Sequence, residues 1–411
     1  MNIVYISKYT VLPEYGAPTR QYFLSKYLSR INGNQVLLIG SRSTRSHVPP
    51  VKNLFLSNKT ENLETIILDG PKIDLGFNLK RIWSWIVFEL NIFRFRKRIK
   101  KFQPDIIIVS SLSILTFLSG VFLKKWLRIP LVIEIRDIYP LTLQEVGTTS
   151  PKNPIVLFLK WIEKIGYKNA DLIISTLPNA KEHISSVLEK PINFLWLPMG
   201  IDPDYFNKNE GYPPYSLRKS ENEFIIAYTG SFGKANALDT VFKTAEVLQF
   251  DYPNIRFIFI GDGPLEETYK EKYGYLKSIQ FLPRVPKDEL PSVLGQADIL
   301  INTWLDRPIY RFGISPNKWM DYMYAGRPIL VAFNGYRCII EEAECGKFIE
   351  AENKDALAEA IIEFSRMNPD DLKRMGENGK NYLLRNLTYQ TIAKNLDKKL
   401  DYVLSASKDF K

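Results

Sequence analysis

Arg311-Phe312-Gly313-Ile314-Ser315-Pro316-Asn317-Lys318-Trp319-Met320-Asp321-Tyr322-Met323-Tyr324-Ala325-Gly326 reads as a loop that turns into a helix. Ser315 has the chemistry of an N-cap, Pro316 suits the first helical position, and Gly326 with Pro328 stops the helix after about three turns. A helix that begins this way presents unpaired N–H groups and the positive end of its dipole, a seat suited to phosphate. Lys318 puts a cation in the first turn, where the dipole disfavours one, and so points to a bound anion. Asp321, one turn on, can face the same ligand and accept hydrogen bonds from sugar hydroxyls. The stretch predicts a site for a phosphorylated sugar, most simply a nucleotide diphosphate sugar.

Outward from this helix, short runs rich in Ile, Val and Phe alternate with longer helical patterns. In the first half the strands are expected at 2–7, 35–39, 65–68, 105–109, 131–135, 172–175 and 194–197. In the second they are expected at 224–229, 255–260, 279–281, 299–301, 329–331 and 347–349. Runs without strict alternation fit parallel strands covered on both faces. The fold class is therefore α/β: two Rossmann-like, doubly wound domains over 1–198 and 199–388, facing a cleft. A polar connector follows at Asn207–Asn222, and a last helix over 389–411 can pack back on the first domain. Three strand-ending turns belong to the predicted site: Tyr228–Gly233 with Gly230, Ser231 and Gly233, Ile260–Pro264 with Gly261, and Phe281–Leu290 with Arg284 and Val285. Taken singly, the first two also read as simple tight turns; the third can shape a pocket for a base.

At 411 residues, 45% hydrophobic and 24% charged, the chain has room for about two domains with their own cores. Cys338 and Cys345 have no metal-binding spacing, and His47 and His183 are far apart, so no metal site is expected. The start, Met1–Ser7, reads as a buried strand rather than a secretion signal. Residues 106–123 lack charge but divide into strand, polar loop and helix, so no membrane span is expected. The net charge of +10 concentrates between Lys80 and Lys101, with eight basic residues, one acidic residue (Glu89), and Trp83, Trp85, Phe88, Phe93 and Phe95 interleaved. That mixture suits a helix lying on an anionic membrane surface, the alternative being a half-buried helix with a solvated basic end. No nucleic-acid motif accompanies it. The location expected is cytoplasmic and peripheral to the inner face of the membrane.

The order of these loops, ending in the Ser315–Gly326 helix, resembles the GT-B glycosyltransferases of family 4 from the first strand to about residue 390. Tyr310–Lys318 is similar to a segment of bacterial enzymes of capsule and O-antigen assembly, including the N-acetylfucosaminyl transferase type. The resemblance implies retaining transfer from a nucleotide diphosphate sugar, donor binding in the second domain, acceptor binding in the first, and no metal. It assigns Asp321 to the second carboxylate of the family's Glu-x7-Glu motif, whose first would fall at Gly313 and is absent. Backbone from Phe312 through Gly313 and Ile314 to Ser315 is the expected substitute, and Asn317 is expected to contact the donor. The family's Arg and Lys after the first strand of the donor domain correspond to Ser231 and about Asn236, leaving Lys318, Arg311 and Lys234 to supply positive charge. In the first domain the resemblance assigns Gly16 and Arg20 to the donor diphosphate, a surface ion pair being the alternative for Arg20. It sets Asp137, preceded by Arg136 where relatives carry His, beside the acceptor.

The expected activity is transfer of a sugar, an N-acetylated or deoxy hexose, to a lipid-linked saccharide, with Asp137, Arg136, Asp321 and Lys318 nearest the chemistry. The rivals are a nucleotide-sugar 2-epimerase of the same fold and a non-catalytic sugar-nucleotide-binding protein.

Overall fold

The apolar runs form two parallel sheets. The computed structural model describes residues 1–16, 18–42, 55–71, 79–147, 149–206, 216–217 and 222–408; His47 and most of the Asn207–Asn222 connector lie outside them. The chain divides into two compact units, Met1–Pro198 together with Tyr389–Lys411, and Met199–Thr388.

The first unit contains β1 (Asn2–Ile6), β2 (Gln35–Ser41), β3 (Phe55–Lys59), β4 (Leu63–Leu68), β5 (Ile106–Ser110), β6 (Leu131–Ile135), β7 (Leu172–Ser175) and β8 (Phe194–Trp196), in the spatial order β3-β4-β2-β1-β5-β6-β7-β8. All neighbours are parallel except β3, which pairs antiparallel with β4 at the edge. Phe55–Lys59 was not expected as a strand; an edge strand needs no double apolar face, and Ser57, Asn58 and Lys59 hide the pattern. The chain leaves β1 toward β2 and, after β4, crosses to β5, so the strand order reverses between β1 and β5. Right-handed crossovers then put α2 (Leu79–Lys101), α3 (Thr116–Leu127) and the Pro154–Asn169 helix on one face. On the other face lies α1 (Arg20–Leu28), against which the last helix, Tyr389–Lys408, packs. Phe23 stacks on Tyr389 at 5.1 Å, and Asn34 donates to Asp397 at 2.7 Å.

The second unit contains β9 (Phe224–Thr229), β10 (Ile255–Ile260), β11 (Ile279–Leu282), β12 (Ile299–Thr303), β13 (Ile329–Ala332) and β14 (Gly346–Ile349), all parallel in the order β11-β10-β9-β12-β13-β14. Its reversal of strand order falls between β9 and β12. The segments entering and leaving this unit meet, Ile201 pairing with Thr388 and donating its N–H to Leu387 at 3.0 Å. Among the described residues no helix is long and apolar enough to cross a membrane, and Ile106–Leu123 does divide into β5, a loop and most of α3.

Candidate functional site

In open α/β sheets ligands bind at the carboxyl ends of the strands where the strand order reverses. In the second unit that point lies between Gly230–Asn236, after β9, and the residues following β12. The helix Asn317–Tyr324 is fixed against both strands. Trp319 donates to Asn302 of β12 at 2.8 Å. The Tyr322 hydroxyl accepts from the Thr229 N–H at 3.0 Å and donates to Ile301 at 3.1 Å. The helix is shorter than the sequence suggests and starts later. Pro316 occupies the N-cap, and Ser315 does not cap; its hydroxyl instead accepts the Met199 N–H at 3.4 Å. Asn317 is exposed and Ile314 buried.

Lys318 does not project from the first turn as a solvated charge. Its ammonium reaches back over the Tyr228 ring at 4.4 Å and donates to the Asn236 side chain at 3.1 Å and the Tyr228 hydroxyl at 3.3 Å. Burial pulls its pKa down to about 7, against the raising effect of Asp321. Lys318 thus delivers its cation to the loop whose Ser231 and Asn236 stand where basic residues were expected. Lys234 and Ser231 are exposed. Phe232, fully buried, packs its ring 6.2 Å from Tyr228 and 6.1 Å from Phe281, and so anchors that loop in the core.

Asp321 is 4% exposed, and both of its carboxylate oxygens accept from Lys287, a residue not singled out from the sequence. Burial raises the Asp321 carboxyl, and Lys287 and Lys318 oppose that rise. The pair spans 34 positions, which no local pattern discloses. Arg284 is exposed and Val285 buried in the same loop.

The glycines divide by role. Gly230 has φ +138°, and a Cβ there would meet the Lys318 ammonium at 3.2 Å. Gly261, at φ +145°, serves packing: a Cβ would come 2.1 Å from the Gly230 carbonyl oxygen, so this position holds two turns together. Gly233, at φ −111°, needs no glycine conformation. Gly313 has φ +86° and ψ 176°, a region open essentially to glycine alone, so a glutamate is excluded there by the backbone. Arg311 stacks on Phe312 at 4.2 Å and borders a cavity of about 540 Å³ with Asp306, Arg307 and Tyr336, a lining without Lys318 or Asp321.

In the first unit Arg20 forms an ion pair, in the interior rather than at the surface. Its side chain is buried. It pairs with Glu134 of β6 at 2.9 Å and donates to the carbonyls of Leu197, at 2.8 Å, and Pro198. Tyr5 donates to the second Glu134 oxygen at 2.6 Å. Burial would raise Glu134, but Arg20, Arg136 and the Tyr5 hydroxyl hold its carboxyl below the usual value. Arg20 therefore fixes the chain where it leaves this unit, and its guanidinium is spent on protein partners. Gly16, at φ +135°, ends a turn of 3₁₀ helix. Asp137 follows β6 with its side chain open to solvent; crowding raises its carboxyl despite Arg136 and Arg81 nearby. The Arg136 N–H donates to Ser111, just after β5, at 2.9 Å.

The Lys80–Lys101 segment is helical throughout as part of α2, but its aromatics divide unexpectedly. Trp85, Phe88 and Phe95 are buried in the core. Facing out are Trp83, Ile86, Leu90 and Phe93, a stripe at helical spacing. The neighbouring helices continue it: Phe122 and Trp126 of α3, then Leu157, Phe158 and Trp161, all exposed. Phe93 meets Phe122 at 5.3 Å, and Arg96 and Lys100 lie over Phe93 and Trp126 at 4.0 and 5.4 Å.

Other candidates have structural partners. His183 lies 2.7 Å from Glu163, which also accepts from Tyr167. Cys338 and Cys345 are buried and unbridged, their thiols pushed by burial up to about 11 and about 12. No group of His, Cys, Asp or Glu that could hold a metal occurs among the described residues.

Comparison with known proteins gives one family match in each half of the chain. Residues 16–205 match the family model Glycosyltransferase Family 4, and residues 214–382 match Glycosyl transferases group 1. EpsD of Bacillus subtilis (strain 168) is 24% identical over 207 residues, 48% of this chain and 52% of that protein. The chain spans about half the length of the curated relatives it matches. Sucrose-phosphate synthase from Thermosynechococcus elongatus superposes with a TM-score of 0.75 at 16% identity, over 98% of this chain and 99% of that one. A trehalose-6-phosphate structure from E. coli bound with UDP-2-fluoro glucose gives 0.73 at 12% identity, over 98% and 99%. At such identities the superpositions speak for the fold alone.

Proposed function

We propose that this chain is a GT-B glycosyltransferase of family 4 and moves a sugar from a nucleotide diphosphate sugar to a lipid-linked saccharide with retention of configuration. The donor seat is the switch point of the second unit. The observation that carries this reading is the Lys318 ammonium, delivered to the Gly230–Asn236 loop at the amino end of its own helix. A diphosphate there meets a cation, a helix dipole and a glycine turn at once, and leaves without needing a metal ion. Asp321, held by Lys287, is suited to the nucleoside's sugar hydroxyls. Asp137 is suited to orient the acceptor hydroxyl or take its proton, since a raised carboxyl pKa favours general-base work.

The lipid-linked acceptor is supported by the exposed aromatic stripes of three adjacent helices and their basic rim, which suit an anionic bilayer. The proposed setting is the cytoplasmic face of a bacterial membrane, in the assembly of a cell-surface polysaccharide such as O-antigen or capsule. The deciding experiment is a screen of nucleotide sugars for nucleotide release, with and without membrane lipid extract. Release that depends on the extract is expected. Isomerisation of a nucleotide sugar without acceptor, or donor binding with no turnover under any condition, would overturn the reading.

A further inference from the structure

Asp321 is the single carboxylate of the helix Asn317–Tyr324, and it is answered from outside that helix. Both of its oxygens accept from the Lys287 ammonium, which arrives from the loop after β11. That loop is itself anchored. Val285 is buried, and the Pro286 carbonyl accepts the N–H groups of Glu289, at 3.2 Å, and Leu290, at 3.1 Å, closing the turn that carries Lys287. On its own helix the other charge acting on Asp321 is Lys318, one turn back. Lys318 does not bond to the carboxylate, because its ammonium is turned to Tyr228 and Asn236. The grip on Asp321 therefore comes from Lys287.

A buried carboxyl has two ways to be tolerated. It can take a proton, which turns one oxygen into a donor, or it can keep its charge beside a cation and remain acceptor-only. The Lys287 contact selects the second. It also decides orientation. An ammonium bonded to both oxygens fixes the carboxylate plane, and each oxygen keeps a further lone pair on a defined side. A fixed pair of acceptors matches two adjacent hydroxyls of one sugar ring, each giving its hydrogen to one oxygen. A carboxyl that is protonated, or that turns about its bond, offers no such fork. A site built to pair a hydroxyl rejects the analogue lacking it, because the acceptor is then left unmet.

We infer that Lys287 is a positioning residue that sets donor specificity: by holding Asp321 through both oxygens it makes binding depend on the vicinal 2′- and 3′-hydroxyls of the nucleoside, and so selects ribonucleotide over deoxyribonucleotide donors. This rests on the proposed role of Asp321 at the donor seat. Lys287 acts through Asp321 rather than on the donor.

The test is calorimetric titration of the whole protein with the diphosphates of uridine, guanosine, adenosine and cytidine, each against its 2′-deoxy counterpart. In wild type the ribonucleotide of the preferred base is expected to bind at least about tenfold tighter than the deoxy form. Lys287→Met is expected to bring that ratio below about threefold, and Lys287→Arg, whose planar fork can grip both carboxylate oxygens, to keep it. The ratio compares two ligands on one preparation, so any loss of folded protein cancels from it. In Asp321→Asn the ratio is expected to be lost already, and adding Lys287→Met to lower neither affinity further. A wild-type ratio in Lys287→Met would overturn the inference and leave the donor seat standing. A further loss in the double variant would also overturn it, by showing that Lys287 meets the nucleotide directly. A wild type that binds nucleoside diphosphates without preferring ribose would remove Asp321 from the seat and the inference with it. A wild type that binds none of them would overturn the seat itself.

Discussion

Lys318 and Asn236 lie 82 positions apart, yet the lysine ammonium is 3.1 Å from the asparagine side-chain oxygen. The cation that Ser231 and Asn236 do not supply reaches their loop from a helix beyond β12. Because burial holds Lys318 near neutrality, its charge responds to the ligand.

Donor binding should therefore carry a proton. A diphosphate beside Lys318 raises its pKa from about 7, so at pH 8 binding takes up roughly one proton and affinity falls as pH climbs toward 10. In the unliganded protein the sign is opposite. The folded pKa lies below the ordinary 10.5, so the unfolded chain holds more protons between pH 7 and 10.5, and stability rises across that window. Calorimetry of a nucleoside diphosphate in Tris and in HEPES at pH 8 reads the proton as a difference in apparent enthalpy. Lys318→Met should abolish that difference and weaken binding by about 1.5–3 kcal/mol.

The Lys287–Asp321 pair should matter to both fold and donor. Lys287→Met leaves a buried carboxylate without its ammonium and should lower stability by about 1–3 kcal/mol, discounted because the Lys287 side chain is 35% exposed. A urea midpoint measures this. Asp321→Ala should raise the donor KM at least about tenfold; unchanged donor affinity and turnover would remove Asp321 from the site.

Restoring the missing carboxylate should fail. Gly313→Glu forces a side chain onto φ +86°, ψ 176° and should cost about 1–3 kcal/mol without raising turnover. Gly261→Ala, whose new methyl would lie 2.1 Å from the Gly230 oxygen, should lower Tm and weaken nucleotide binding together. Thermal melts with and without nucleoside diphosphate distinguish the two cases.

Membrane attachment should follow the outward residues. Trp83, Phe93, Phe158 and Trp161 changed together to serine should release the protein from phosphatidylglycerol vesicles in a sedimentation assay with Tm little altered. Changing the buried Trp85 and Phe88 should instead unfold the first unit, each costing about 3–5 kcal/mol on truncation to alanine.

The parallel strands were readable because doubly covered strands are nearly pure Ile, Val, Leu and Phe, as at Ile106–Val109 and Ile255–Ile260. Phe55–Lys59 was not, being an edge strand with polar residues. Ser315 had the right chemistry for a cap, but a tertiary partner, the Met199 N–H, claimed its hydroxyl. Arg20 looked like a ligand residue because its partner sits in β6. A glutamate inside Leu131–Ile135 was the signal that a buried cation had to exist somewhere, though not which one. Sequence spacing gives residue type and local phase; pairings across 82 or 114 positions need the sheet order.

The second unit is an insertion within the first. Tyr389 and Asp397 complete a surface begun by Phe23 and Asn34, so a ribosome must deliver some 190 intervening residues before the amino-terminal unit receives its closing helix. A fragment ending at Pro198 would leave the docking face of α1 bare, and cutting the chain at that joint would yield one whole unit rather than two.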